Sequence, residues 1–158
     1  MITTQSVLAT YSEHFMYEAL LMAKQAFTKN EVPVGAIVVK DNKIIGYGCN
    51  QVIASHSVAA HAEIVAISQA GKQIENYRLM GAQLYSTLEP CHMCAKAIVD
   101  ARIEHIYFGA LEPKTGALIS IDSYLDRSDL NHKVTFSSGH MSEECAQLLK
   151  NFFQSRRG

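Results

Sequence analysis

Between positions 11 and 29, Phe15, Ala19, Ala23 and Phe27 recur every four residues with Met16 and Leu20 alongside, a stripe that predicts an amphipathic helix. Thr10 followed by Glu13 predicts a capping box at its start. After Asn30 the pattern turns β-rich: residues 34–39 and 44–47 flank Asp41-Asn42, which predicts a hairpin entered through Pro33. Residues 50–60 are small and polar, hence a loop. Residues 61–70 carry Ile64, Val65 and Ile67 and stop at Gly71, which predicts a short helix with a glycine cap. Residues 82–88 read as a buried strand, and Pro90 suits the first turn of another helix. Residues 103–108 predict a strand, 112–116 a loop and 133–136 a further strand, with no element predicted between 117 and 132. Ser142, Glu143 and Glu144 open a last helix over about residues 142–155, with Cys145, Leu148, Leu149 and Phe152 on its apolar face. Strands alternating with helices in this way imply a three-layer α/β/α domain with helices on both sides of a mixed sheet.

Composition adds limits. A chain of 158 residues, 48% of them hydrophobic, suffices for one domain over 1–158 that buries about 70% of its unfolded surface, with the first ten residues expected to be poorly ordered. Lys plus Arg is 14 and Asp plus Glu 15, so any surface for a polyanion has to be local. The first ten residues lack a basic segment followed by an apolar one, and no stretch nears the roughly 18 apolar residues of a membrane span. A soluble, cytoplasmic protein without a membrane partner is expected. Cys49, Cys91, Cys94 and Cys145 are then expected as reduced thiols, available to a metal.

The chemistry concentrates in His61-Ala-Glu63 and Cys91-His-Met-Cys94. One imidazole and two thiolates make three ligands for a tetrahedral zinc ion, and the fourth position stays open for water, as a catalytic site requires. A glutamate nearby could carry protons. Residues two apart on a regular helix point in nearly opposite directions. His61 and Glu63 therefore serve one site only from a helix's first turn, where the incoming chain is still extended. Other readings stay open: a redox pair, or a structural zinc site with a fourth ligand from Cys49, His56 or His92, although His92 is expected to point away from the metal. His14, His105, His132 and His140 read as surface or locally hydrogen-bonded histidines.

Beyond these motifs, the segments Glu31-Val-Pro-Val-Gly-Ala36, Ala60-His-Ala-Glu-Ile64, Asn76-Tyr-Arg-Leu79, Thr87-Leu-Glu-Pro-Cys91, Phe108-Gly-Ala110, Lys114-Thr-Gly-Ala117, Leu130-Asn-His132, Glu143-Glu-Cys145 and Phe152-Phe153 follow one another in order. Together they resemble the zinc-dependent nucleobase deaminase superfamily that includes cytidine and deoxycytidylate deaminases, and within it the bacterial tRNA-specific adenosine deaminases, over residues 11–157. The resemblance implies a cytidine-deaminase-like fold with a central five-stranded mixed sheet. It also implies one zinc ion per subunit on His61, Cys91 and Cys94, with Glu63 as the catalytic proton carrier. The implied reaction is hydrolytic deamination of adenosine to inosine at the wobble position of arginine tRNA with an ACG anticodon. A homodimer and the tRNA anticodon stem-loop are the implied partners, with no other protein partner. Asn50 matches the asparagine that holds the flipped nucleotide, and Val34 the apolar wall against its base. Glu112 stands where aspartate is frequent, beside the nucleotide backbone, and Asn131 and His132 match a segment near the substrate. Phe153 and Arg157 match a C-terminal element that touches the anticodon loop, whereas Phe152 falls on the core face. Lys96, the Leu118-Ile119 pair and Cys49 depart from the family pattern. A deaminase of free guanine, cytosine or a nucleoside, and a zinc-stabilised binding module without catalysis, are the alternatives.

Overall fold

Asp41 and Asn42 both take positive φ, 52° and 61°, as a two-residue type I′ turn requires, and so join β1 (Gly35–Lys40) to β2 (Lys43–Cys49) with the twist of the strands. The structure, a computed structural model, describes residues 10–157 without the side chain of Arg157. The expectations of disorder and of no export segment at the N-terminus fall on residues outside that range, Thr10 apart.

Three more strands, β3 (Ala82–Leu88), β4 (His105–Ala110) and β5 (Thr135–Ser137), complete a sheet of order β2-β1-β3-β4-β5. β1 pairs antiparallel with both β2 and β3, while β3–β4 and β4–β5 are parallel, so the sheet is mixed and five-stranded as expected. β1, β3 and β4 are buried along nearly their whole length because helices cover both faces. On one face Ala36, Val38, Leu84, Ile106 and Phe108 pack with Ala62, Ala66 and Ala70 of α2 (Ala62–Ile74) and with Ala95, Ile98 and Val99 of α3 (His92–Asp100). The alternating residues Ile37, Val39, Tyr85 and Tyr107 meet Met16 and Ala19 of α1 (Glu13–Thr28). α4 (Ser142–Arg157) joins that second face through Cys145, which packs with Leu20 and Ala110.

The seating of α2 depends on two glycines. A Cβ on Gly46 would overlap the Ala66 carbonyl oxygen, and one on Gly48 the Ala62 carbonyl oxygen, so the helix backbone lies directly on β2. Gly48→Ala is expected to force α2 outward and to cost about 1–3 kcal/mol, the usual penalty for overpacking, read as a lower urea midpoint at unchanged slope.

Several local expectations change. α1 begins at Ser12 as N-cap with no side-chain capping bond, and the Thr10–Glu13 box does not form. The Ser12 N–H is instead taken by the Tyr85 hydroxyl at 3.0 Å, a tertiary contact that a local motif cannot foresee. Gly71 lies inside α2, which ends at Glu75 with φ 56°. The chain then folds back, Asn76 N–H on the Gly71 carbonyl, so the glycine makes room for the returning strand of chain rather than capping. Pro90 stands outside α3, whose N-cap is Cys91. β4 starts at His105, two residues later than expected, and residues 117–132 hold a short 3-10 turn at Tyr124–Asp126. His105 bonds across the sheet to Thr135 and Ser137, 30 and 32 residues on, and only His140, bonded to Ser137, has a local partner.

Candidate metal centre and cleft

α2 and α3 begin at the same edge of the sheet. His61 is the N-cap of α2, with φ −74° and ψ 152°, and Cys91 is the N-cap of α3, with φ −79° and ψ 177°. Both are extended residues at the mouth of a helix, and neither uses its side chain to cap. The Oδ1 of Asn50 accepts the Ala62 N–H at 2.8 Å in place of His61, which leaves the imidazole free.

The three donors converge. His61 Nδ1 lies 3.6 Å from Cys91 Sγ and 3.5 Å from Cys94 Sγ, and all three ligand atoms fall within 4.8 Å of one another. Zinc bonds of about 2.0–2.1 Å to nitrogen and about 2.3 Å to sulfur, opened to the tetrahedral angle, separate N and S by about 3.6 Å. The residues therefore fit zinc in both distance and donor type. Among the described residues no fourth donor joins the cluster. His92 turns away, its Nε2 at 2.7 Å from Asp122 Oδ2, and Cys49 and His56 stand outside.

The protons of the cluster are already unevenly shared. A hydrogen bond from Cys94, aided by His61, brings the Cys91 thiol down to about 4, while that same bond holds the Cys94 thiol well above its usual value. The imidazole of His61 is raised, chiefly by its bond with Cys91. Glu63 is buried beside the cluster, hydrogen-bonded with Cys94, and burial pushes its carboxyl up to about 7. It is a neighbour of the three donors and not one of them.

Above them opens a cleft of about 580 Å³. His61, Glu63 and Cys91 line it together with Val34, Asn50 and, from α4, Phe152, Phe153 and Arg156. A model of the cytidine and deoxycytidylate deaminase zinc-binding region matches residues 9–110. The chain belongs to this deaminase family. It is 45% identical to the tRNA-specific adenosine deaminase of Haemophilus influenzae, over 96% of this chain and 88% of that one. A solved structure from studies of A-to-I editing by tRNA:A34 deaminases at the wobble position of transfer RNA superposes with a TM-score of 0.84 at 41% identity, covering 87% of this chain and 99% of that chain. The guanine deaminase of Nitrosomonas europaea shares the fold, with a TM-score of 0.74 at 21% identity over 92% and 86% of the two chains. Among the described residues no helix is long and apolar enough to cross a membrane.

Not every residue that the family resemblance points to reaches the cleft. Val34, Asn50 and Phe153 do. Glu112 does not line it: its carboxylate turns back onto the Lys114 N–H at 3.0 Å, and the neighbouring Thr115 faces the cleft instead. Asn131 and His132 are also outside its lining. His132 Nε2 bonds the Ile103 carbonyl at 2.8 Å, at the entry to β4, whereas the zinc-binding donors sit beyond the exit of the parallel strand β3. The side chain of Arg157 lies outside the described residues.

Arg156, next to Arg157 in the chain, lines the cleft. It donates to the Asn30 carbonyl and holds its guanidinium 4.7 Å from the centre of the Phe152 ring. That stacking was readable, since residues 152 and 156 are one helical turn apart. Phe152 itself is buried and meets Phe27 edge to face at 5.7 Å, as its position on the apolar stripe implies. Two buried carboxylates carry no such signal. Glu31 accepts the Ile53 and Ala54 N–H groups at 3.2 and 2.8 Å and so pins the loop before His61. Glu89 binds the segment 112–120 and, unlike Glu63, is held below the usual carboxylate range by those hydrogen bonds, which outweigh its burial.

Proposed function

We propose that this protein hydrolyses adenosine to inosine at the wobble position of tRNA, with arginine tRNA bearing an ACG anticodon as substrate, and that it works as a cytoplasmic homodimer. The observation that carries the reading is the placing of Glu63, a buried carboxylate, beside three converging zinc donors in the lining of a cleft. The names of its relatives narrow the substrate from nucleobases in general to tRNA.

His61, Cys91 and Cys94 would hold a zinc ion, which when bound would supply a water that is acidic near neutral pH. Glu63 would accept one proton of the attacking water at a carboxylate oxygen as the C6–O bond forms, and return it to the purine. The C6–N6 bond breaks, the amino group leaves with the second proton as ammonia, and adenosine plus water is balanced by inosine plus ammonia. The Asn50 oxygen is committed to α2, so the amide offers its Nδ2 donors to the nucleotide. Val34 packs on the base, and Phe153 and Arg157, with Arg156 beside them, receive the bases and phosphates of a splayed loop, where no duplex has to be opened. A volume of about 580 Å³ lies within the range of about 300–1,000 Å³ usual for small-ligand sites and accommodates one extruded nucleotide.

Incubating the purified protein with an ACG anticodon stem-loop and, separately, with guanine, cytosine and free nucleosides tests the reading. Inosine is expected on the stem-loop alone. Turnover confined to free bases would reject the tRNA assignment, and no turnover with zinc bound would leave a binding module.

A further inference from the structure

Glu89 is one of three buried carboxylates that line the cleft, with Glu31 and Glu63; it is 2% exposed, and its two oxygens are fully engaged. One accepts the N–H groups of Leu118, Ile119 and Ser120 at 3.1, 2.8 and 2.9 Å. The other accepts the Glu112 N–H at 3.1 Å and the Ser120 hydroxyl. A carboxylate has about four lone-pair sites, so five donors leave nothing for water or substrate. Gly116 completes the cradle, because a Cβ there would occupy the space of the Glu89 carboxylate.

The same short stretch is tied by its backbone on both sides. Glu89 N–H donates to the Ala110 carbonyl and Ala117 N–H to the Pro90 carbonyl, each at 2.9 Å. The next residue after Pro90 is the zinc donor Cys91. We propose that Glu89 is a positioning residue: it clamps the segment 112–120, which brings Thr115 into the cleft wall, onto the turn that presents Cys91, and so sets the distance between the substrate wall and the metal centre. Proton transfer belongs to Glu63; Glu89 acts only through the geometry of others. The consequence is a division of labour between two buried carboxylates, and it rests on the deaminase reading above.

Glu89→Gln keeps the shape but turns an N–H2 group toward backbone donors that need an acceptor. Losing hydrogen bonds to a charged group at this scale is expected to raise KM for the anticodon stem-loop about tenfold, with kcat within about threefold of the parent. Hydrogen exchange of the Leu118, Ile119 and Ser120 amides is expected to quicken while zinc content stays the same. Glu89→Asp, which keeps the acceptors on a shorter arm, is expected to fall between the two and serves if the glutamine variant does not fold. A merely structural role would lower the melting temperature and leave KM of the folded enzyme unchanged. A KM within about threefold of the parent, or unaltered exchange at those amides, overturns the proposal. If the parent protein does not turn over the stem-loop at all, the functional reading fails, and the amide exchange still tests whether Glu89 holds the segment 112–120, unaltered exchange overturning the clamp.

Discussion

Glu63→Ala is expected to reduce kcat on the anticodon stem-loop by about a thousandfold or more, the upper range of what positioned proton transfer contributes, while zinc content and fold are retained. The asymmetry has a physical source. Glu63 is 4% exposed and its carboxyl is raised to about 7 by burial, so its charged form is costly to house. Removing it relieves that cost and leaves His61, Cys91 and Cys94, the group placed to hold the ion, untouched. The folded state is therefore expected to persist as activity disappears. Inosine formation, elemental analysis and calorimetry on the same preparation separate the two effects. Full turnover by the alanine variant would remove Glu63 from the proposed proton path.

His61→Ala is expected to act in the opposite order, on the metal first. Only two sulfurs then remain of the donor set, and zinc affinity is expected to fall at least about a hundredfold, since even residues behind the ligands cost about 10–100-fold when altered. Stability linked to the metal falls with it, by up to about 2.7 kcal/mol for a hundredfold loss. Elemental analysis after dialysis is expected to show little zinc, and no inosine should form. Zinc content equal to the parent's would show that the imidazole is not a ligand.

Both expectations grow from a constraint visible in the chain itself. A histidine and a glutamate two residues apart cannot share a site from within a helix, and the structure puts the helix boundary between them, His61 extended and Glu63 in the first turn. The hairpin was equally legible, because Asp41-Asn42 accepts positive φ at both positions. Positions whose partners are distant in sequence were not. Ser12 replaces the Thr10 capping box because Tyr85, 73 residues away, takes its N–H. His132, which family resemblance put near the substrate, is tied to Ile103 at the other end of the parallel strands. Glu89 gives no periodic signal, since its five donors come from a segment whose conformation it helps to create.

The order of residues along the chain determined the donor types, the two faces of each buried strand and the helix starts that carry the ligands, because these follow from local spacing and from the alternation of side chains. Tertiary structure alone decided that α2 and α3 begin at one sheet edge and bring Nδ1 of His61 within 3.5–3.6 Å of two sulfurs, with the buried Glu63 next to them in the cleft lining. Thirty residues and a strand separate His61 from Cys91, and only the packing of helices on a twisted sheet sets a distance of that kind.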